Sequence, residues 1–122
     1  MTRFKLALVL ATTTAALAWS LPAFGRAETA TTTVTVTAGK PSQFHFELST
    51  STVKVGKVVF DVVNKGTIAH NFKIDGKATP LIHPGKSARL TVVFKKAGIY
   101  PYLCTVPGHA ASGMKGVLTV TK

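Results

Sequence analysis

Three side chains that bind soft metals follow one another at equal spacing near the C-terminus of this 122-residue chain. Cys104, the only cysteine, is followed by His109 and then by Met114, in the pattern Cys-x4-His-x4-Met. The pair Pro107-Gly108 predicts a turn just before His109. Gly113 permits a second change of backbone direction just before Met114. The chain can therefore fold back so that the three side chains meet at one point.

A thiolate, an imidazole and a thioether together suit copper better than zinc, calcium or magnesium. Taken singly, a cysteine is commonly a small buried apolar residue, and a methionine commonly fills a core. Their combination, in this order and around these turns, favours a copper site in which a cysteine and two histidines hold the ion and a methionine binds weakly. One further histidine must then come from elsewhere in the chain.

His70 is the predicted source of that second imidazole. It lies in a predicted strand over residues 68–75, where His70 and Phe72 share one face. A histidine that points toward an apolar core needs a hydrogen-bond partner or a metal. A core histidine bonded to a backbone carbonyl is the alternative interpretation. His45 is predicted on a solvated strand face and His83 in a loop, so neither is expected to be a ligand.

Runs of alternating apolar and polar residues, separated by Gly, Pro and Asn turns, predict an antiparallel β-sandwich or barrel without a sustained helix. Phe44, Phe46 and Leu48 are expected to face inward. Residues 58–63 are apolar on both faces, so this strand is expected to be central. The eight predicted strands are residues 33–37, 44–48, 53–55, 58–63, 68–75, 88–94, 99–104 and 116–121.

The first 27 residues have the composition of a secretory signal peptide. A basic start precedes an apolar run over residues 6–19, which is short for a membrane span, and small residues follow. We predict cleavage after Ala27, with cleavage after Gly25 and an uncleaved membrane anchor as the alternatives. The expected organisation is a signal peptide at residues 1–27 and one domain at residues 28–122, located in the periplasm or otherwise exported.

The formal net charge is +11, and removal of residues 1–27 takes away three basic residues and lowers it to +8. The basic residues are spread along the chain, and there is no phosphate-binding glycine loop, aromatic RNA-binding signature or nucleophile–base pair. Nucleic-acid binding is therefore not predicted. An exported protein with one cysteine cannot form an internal disulfide, and a bound metal would occupy that thiol.

Four segments together resemble the cupredoxins, the small blue copper proteins of the plastocyanin and azurin group. They are the Val-x-Phe-x-Val-x-Asn-x-Gly run over residues 58–66, His70-Asn71, the Gly-Ile-Tyr-Pro-Tyr-Leu-Cys segment over residues 98–104 and the Cys104–Met114 loop. The resemblance covers about residues 31–121. It implies an all-β, Greek-key β-sandwich of about eight strands. One copper ion lies near one end, held by His70, Cys104 and His109 and weakly by Met114.

The resemblance also implies a role for Asn71, whose backbone amide would bond the sulfur of Cys104. Its side chain would tie the two ligand loops together, with Thr105 as its partner. The four residues between Cys104 and His109 match azurin-, auracyanin- and rusticyanin-like proteins, whereas plastocyanins have two. Azurin differs in having three residues between its histidine and methionine, and its disulfide is absent here.

The expected function is one-electron transfer between redox proteins, without enzymatic activity. Four protein ligands leave no open position for substrate, and the chain lacks the His-x-His pairs typical of copper enzymes with several sites. A copper delivery or resistance protein is the alternative. We expect a monomer without stable membrane insertion after signal cleavage, and a partner with an acidic docking surface. His109 is expected to expose a ring edge amid uncharged residues: Val106, Pro107, Ala110 and Ala111.

Overall fold

In residues 15–20 and 30–122, which the computed structural model describes, the chain forms nine short strands and no helix. The strands are β1 (Thr32–Ala38), β2 (Phe46–Leu48), β3 (Thr52–Lys54), β4 (Gly56–Asn64), β5 (Lys73–Ile74), β6 (Lys77–Ala78), β7 (Ser87–Phe94), β8 (Gly98–Leu103) and β9 (Lys115–Thr121). They form two sheets, and the predicted all-β sandwich is confirmed.

The first sheet has the strand order β2-β1-β4-β7, and the second has the order β3-β9-β8-β5-β6. As predicted, the strand that is apolar on both faces, β4, is central. The expectation of purely antiparallel pairing is wrong for two pairs, because β1 runs parallel to β4 and β3 runs parallel to β9. Residue alternation along a strand specifies which face is buried, but it does not specify the neighbouring strand or its direction.

The core lies between the two sheets and is centred on Phe72. The Phe72 ring packs against Phe60 at a centroid distance of 5.2 Å, and against Phe46 and Tyr102 at 5.4 Å each. Phe72 is only two residues from His70, so this packing restrains the backbone beside the predicted ligand. The other fully buried apolar residues include Val34, Val36, Val58, Val62, Val92, Phe94, Met114 and Leu118.

The segment predicted as one strand over residues 68–75 forms less regular structure. Only Lys73 and Ile74 belong to a strand, and His70 forms an isolated antiparallel bridge with Ile82. Residues 76–85, which lie between two predicted strands, contribute β6 and the partner of this bridge. The predicted alternation of faces is nevertheless confirmed, because His70, Phe72 and Ile74 are all buried.

The predicted strand over residues 44–48 begins later than expected, at Phe46. Phe44 precedes this strand and is 36% exposed, so the expectation that it faces the core is wrong. Residues 41–44 form a turn, and the two-residue alternation of a strand does not extend into it. Leu48 is only partly buried and packs against the edge of the core.

Most of the predicted signal peptide, residues 1–14 and 21–27, lies outside the described residues. Residues 15–20 have no regular secondary structure, and Leu17 and Trp19 are exposed. The described part of the chain contains no helix that is both long and apolar enough to span a membrane. The predicted boundary between residues 27 and 28 stays a prediction.

Candidate metal centre

The loop between β8 and β9 brings the backbones of Cys104, His109 and Met114 together. The backbone N–H of Cys104 donates to the carbonyl of Met114 (3.1 Å), and the N–H of Met114 donates to the carbonyl of His109 (3.1 Å). Gly108 and Gly113 have φ values of 80° and 112°, which residues with a side chain rarely adopt. The loop therefore closes on itself at the end of the sheet.

His70 reaches the same point from the segment that precedes β5. Its backbone exchanges two hydrogen bonds with Ile82, with N···O distances of 3.1 and 2.7 Å. These bonds fix the segment over residues 68–72 although it is not part of a continuous strand. The His70 side chain is fully buried, in agreement with the prediction that it points inward.

The two imidazole rings and the thiol form a compact buried cluster. The Nδ1 atoms of His70 and His109 are 3.1 Å apart, and the Cys104 Sγ atom is 3.6 Å from the Nδ1 atom of His109. One ligand atom from each residue lies within 4.8 Å of the other two. Nitrogen and sulfur donors converging at these distances fit a single copper ion.

Burial favours the form of His70 that binds metals. Desolvation lowers the pKa of His70, and the neighbouring His109 lowers it further. A lowered pKa favours the neutral ring, which has a nitrogen lone pair available for coordination. Cys104 is buried and is not in a disulfide, so its sulfur is also available.

Met114 is fully buried beside this cluster, held by its backbone bonds to Cys104 and His109. His109 is buried except for 8% of its surface, so the exposed part of its ring is small. His45 and His83 are both exposed and lie outside the cluster; that neither is a ligand stays a prediction.

Asn71 makes the contacts that the family resemblance implied. Its backbone N–H points at the Cys104 sulfur at 3.5 Å. Its side-chain Nδ2 donates to the Thr105 hydroxyl (2.6 Å), and its Oδ1 accepts from the Thr105 backbone N–H (2.7 Å). Two reciprocal bonds thus tie the segment that carries His70 to the loop that begins at Cys104.

Asn64, the asparagine of the run over residues 58–66, is a buried polar residue that supports the site. Its Nδ2 donates to the carbonyls of Ile68 and Ile82, both at 2.8 Å, and its Oδ1 accepts from the N–H of Gly66 (2.9 Å). It therefore connects the two segments that form the bridge at His70. The run over residues 58–66 marks this asparagine, but an asparagine after a strand by itself predicts only a turn, so its contacts were not predicted.

Gln43 and Phe44 also contact the candidate ligands without having been predicted. The Gln43 Oε1 atom is 2.9 Å from Nε2 of His70. The Phe44 ring packs edge-on against the imidazole of His109, with centroids 5.0 Å apart. Both residues lie in the turn before β2, distant in sequence from both histidines. Only the tertiary fold brings this turn to the site.

Part of the chain is similar in sequence to two known proteins. The chain is 48% identical over 48 residues to the copper-resistant cuproprotein CopI of Pseudomonas aeruginosa. It is 46% identical over 43 residues to auracyanin-B of Chloroflexus aurantiacus. The matches cover 39% and 35% of this chain, and they span only 26% and 18% of the lengths of the two relatives.

Solved structures extend the likeness to the whole fold. A structure of auracyanin B superimposes with a TM-score of 0.64 at 26% identity, covering 77% of this chain and 91% of that chain. Rusticyanin from Thiobacillus ferrooxidans superimposes with a TM-score of 0.61 at 27% identity, covering 75% of this chain and 77% of that chain.

The family profile described as a cupredoxin-like domain matches residues 6–120, which is most of the chain. The predicted cofactor, copper, is confirmed by this match together with the buried cluster of two histidines and a cysteine. The two-sheet fold, the cluster and the profile lead to one conclusion: the chain belongs to the cupredoxin family.

Proposed function

We propose that this protein is a one-electron carrier that holds one copper ion through His70, Cys104 and His109, with Met114 as a weak fourth ligand. The observation that carries the proposal is the buried cluster, in which three donor atoms lie within 4.8 Å of one another. Bonds from Asn71 and Asn64 connect the segments that carry these donors. Copper can change oxidation state in such a rigid site with little rearrangement, which favours rapid electron transfer.

His109 lies close to the protein surface, which supports electron exchange at this end of the sandwich. The Phe44 ring packs edge-on against His109, and His109 itself belongs to the loop over residues 106–111. In that loop Pro107 and Ala111 are exposed, whereas Val106 and Ala110 are partly buried, and none is charged. A partner can approach an uncharged surface closely without the cost of removing water from fixed charges.

Positive charge lies at the same end of the sandwich as this uncharged surface. Exposed lysines lie where strands meet the metal end: Lys40, Lys65, Lys86 and Lys115. The segments that form this end, residues 39–45, 64–71, 79–86 and 104–115, contain no aspartate or glutamate. We infer that the physiological partner is a redox protein with an acidic docking surface, since complementary charge speeds encounter.

A copper delivery or resistance protein is the second candidate, and the likeness to CopI favours it. Proteins that deliver copper need ligands that exchange the ion, whereas the donors here are buried and fixed. Reversible reduction of an intensely blue protein would support the carrier. A colourless protein that binds only Cu(I) would support delivery. An enzyme is disfavoured because the proposed ligands leave no open position on the ion.

The site assignment predicts that Cys104→Ser removes the strong thiolate-to-copper absorption from the visible spectrum. The band requires a sulfur ligand, and a hydroxyl does not replace it. The controls are His45→Gln and His83→Gln, which change exposed histidines and should leave the band intact. A band that survives Cys104→Ser in copper-loaded protein would show that the assignment is wrong.

Met114 should tune the reduction potential rather than hold the ion. We expect Met114→Gln to keep copper and colour and to lower the potential, because an amide oxygen stabilises Cu(II) better than a thioether does. Met114→Leu, which supplies no ligand, should raise it. Cyclic voltammetry of both variants measures the shifts. Loss of copper from Met114→Gln, with no coloured species, contradicts a weak axial role.

The docking proposal predicts that electron exchange with an acidic redox partner slows as salt rises. Salt screens the lysines over a Debye length of about 8 Å at physiological ionic strength. Ala110→Asp should slow exchange further while leaving the visible spectrum unchanged. Ala97→Asp, an exposed position between β7 and β8, is the matched control for net charge. Stopped-flow rates that are flat in salt disprove steering, and equal rates for the two variants disprove docking at residues 106–111.

We further propose export with removal of residues 1–27. The support is the basic start, the apolar run and the small residues before Ala27. Mass spectrometry of the exported protein should give an N-terminus within residues 24–30. Intact Met1 on a membrane-bound form would instead support an uncleaved anchor.

A further inference from the structure

The side chain of Gln43 lies against the outer nitrogen of the His70 ring, on the side away from the donor cluster. The Nδ1 atom of His70 faces His109 at 3.1 Å, and its Nε2 atom lies 2.9 Å from the Oε1 atom of Gln43. The two ring nitrogens therefore have separate partners. One faces the candidate metal position and the other faces a side-chain amide.

Thr67 determines which end of the Gln43 amide faces His70. The backbone N–H of Thr67 lies 3.2 Å from the same Oε1 atom, and the Nε2 group of Gln43 donates to the Thr67 hydroxyl at 2.5 Å. A backbone N–H can only donate, so the atom that it meets must be the amide oxygen. That oxygen can only accept, so the Nε2 atom of His70 must carry the hydrogen.

This arrangement leaves the Nδ1 atom of a neutral His70 without a hydrogen and free to coordinate a metal. The ring is fully buried, so loss of Gln43 would leave an N–H group without its partner. A histidine with that N–H unsatisfied would turn more readily and donate electron density less strongly to a metal.

Two glycines make room for the Gln43 amide. A Cβ atom on Gly66 would collide with the Oε1 atom of Gln43 and would lie 3.1 Å from the Nε2 atom of His70. A Cβ atom on Gly39 would lie 2.5 Å from the Cα atom of Gly66, and Gly39 also has a φ of 82°. The two backbone segments are thus close-packed around the contact between Gln43 and His70.

We propose that Gln43 is a positioning residue that fixes the tautomer and orientation of His70 and thereby lowers the reduction potential of the copper centre. The proposal rests on the proposed function, because it takes His70 as a copper ligand. The opposing interpretation is that Gln43 only ties the turn before β2 to Thr67. The two interpretations differ in whether the copper responds to the acceptor.

Three variants separate these interpretations. Gln43→Met keeps the length of the side chain and removes the acceptor. Gln43→Glu keeps the shape and supplies a stronger, charged acceptor. Thr67→Val is the matched control, because it removes the hydroxyl that accepts from Gln43 but keeps the Thr67 backbone N–H and the contact between Gln43 and His70.

We expect Gln43→Met to raise the reduction potential and to weaken Cu(II) binding by about 10–100-fold, the usual effect of removing such a partner. A tenfold loss for Cu(II) alone corresponds to about 59 mV for one electron. Gln43→Glu should lower the potential, and Thr67→Val should leave it close to that of the parent. Shifts of Gln43→Met and Gln43→Glu in the same direction, or no shift in either, would overturn the proposal.

NMR of the diamagnetic Cu(I) protein gives a readout independent of electron transfer. We expect a slowly exchanging Nε2–H signal from His70 in the parent and in Thr67→Val, and faster exchange in Gln43→Met. A hydrogen on Nδ1, or a signal equally protected in Gln43→Met, would also overturn the proposal. Failure of the proposed function is distinguishable, because then the parent protein itself would lack the blue band and the reversible couple.

Discussion

The structure depends on the burial of two imidazole rings and a thiol beside one another at one end of a β-sandwich. Such burial costs free energy unless hydrogen bonds or a metal satisfy the polar atoms. With their Nδ1 atoms 3.1 Å apart, the two rings cannot both carry a hydrogen between them. A bound copper ion would instead be coordinated by both nitrogens and by the sulfur of Cys104. The cluster is therefore arranged for the metal rather than for the packing of the core.

The rest of the fold holds that cluster in place. Beneath it, Phe72 packs among three other aromatic rings and restrains the segment that carries His70. Around it, Asn64 and Asn71 each join segments that are distant in sequence. Within the described chain, no buried side-chain nitrogen or oxygen lacks a hydrogen-bond partner. Networks satisfied to this degree define one arrangement, which a carrier that changes oxidation state requires.

The burial of the cluster and the charges near it bear on how the proposed carrier would meet a partner. The three cluster residues have little contact with solvent. His109, with 8% of its surface exposed, is the most exposed of them. In the proposed carrier, the lysines at this end would act over the distance at which partners meet, and the uncharged surface would permit close contact. The amide of Gln43 contacts the outer nitrogen of the His70 ring, on the side opposite to His109. In the proposed carrier, partner contact and control of the copper potential would thus depend on different residues.

The sequence by itself determined the local features of this protein. Alternation along short runs predicted the sandwich and the buried face of His70, and the equal spacing from Cys104 to Met114 predicted the ligand loop. These features depend on neighbours within a few residues, where backbone geometry sets side-chain direction. Tertiary structure alone decided the parallel pairing of β1 with β4, the position of Phe44 against His109 and the contact of Gln43 with His70. Each of these joins residues far apart in the chain, and a turn residue shows no pattern that reveals what it will meet.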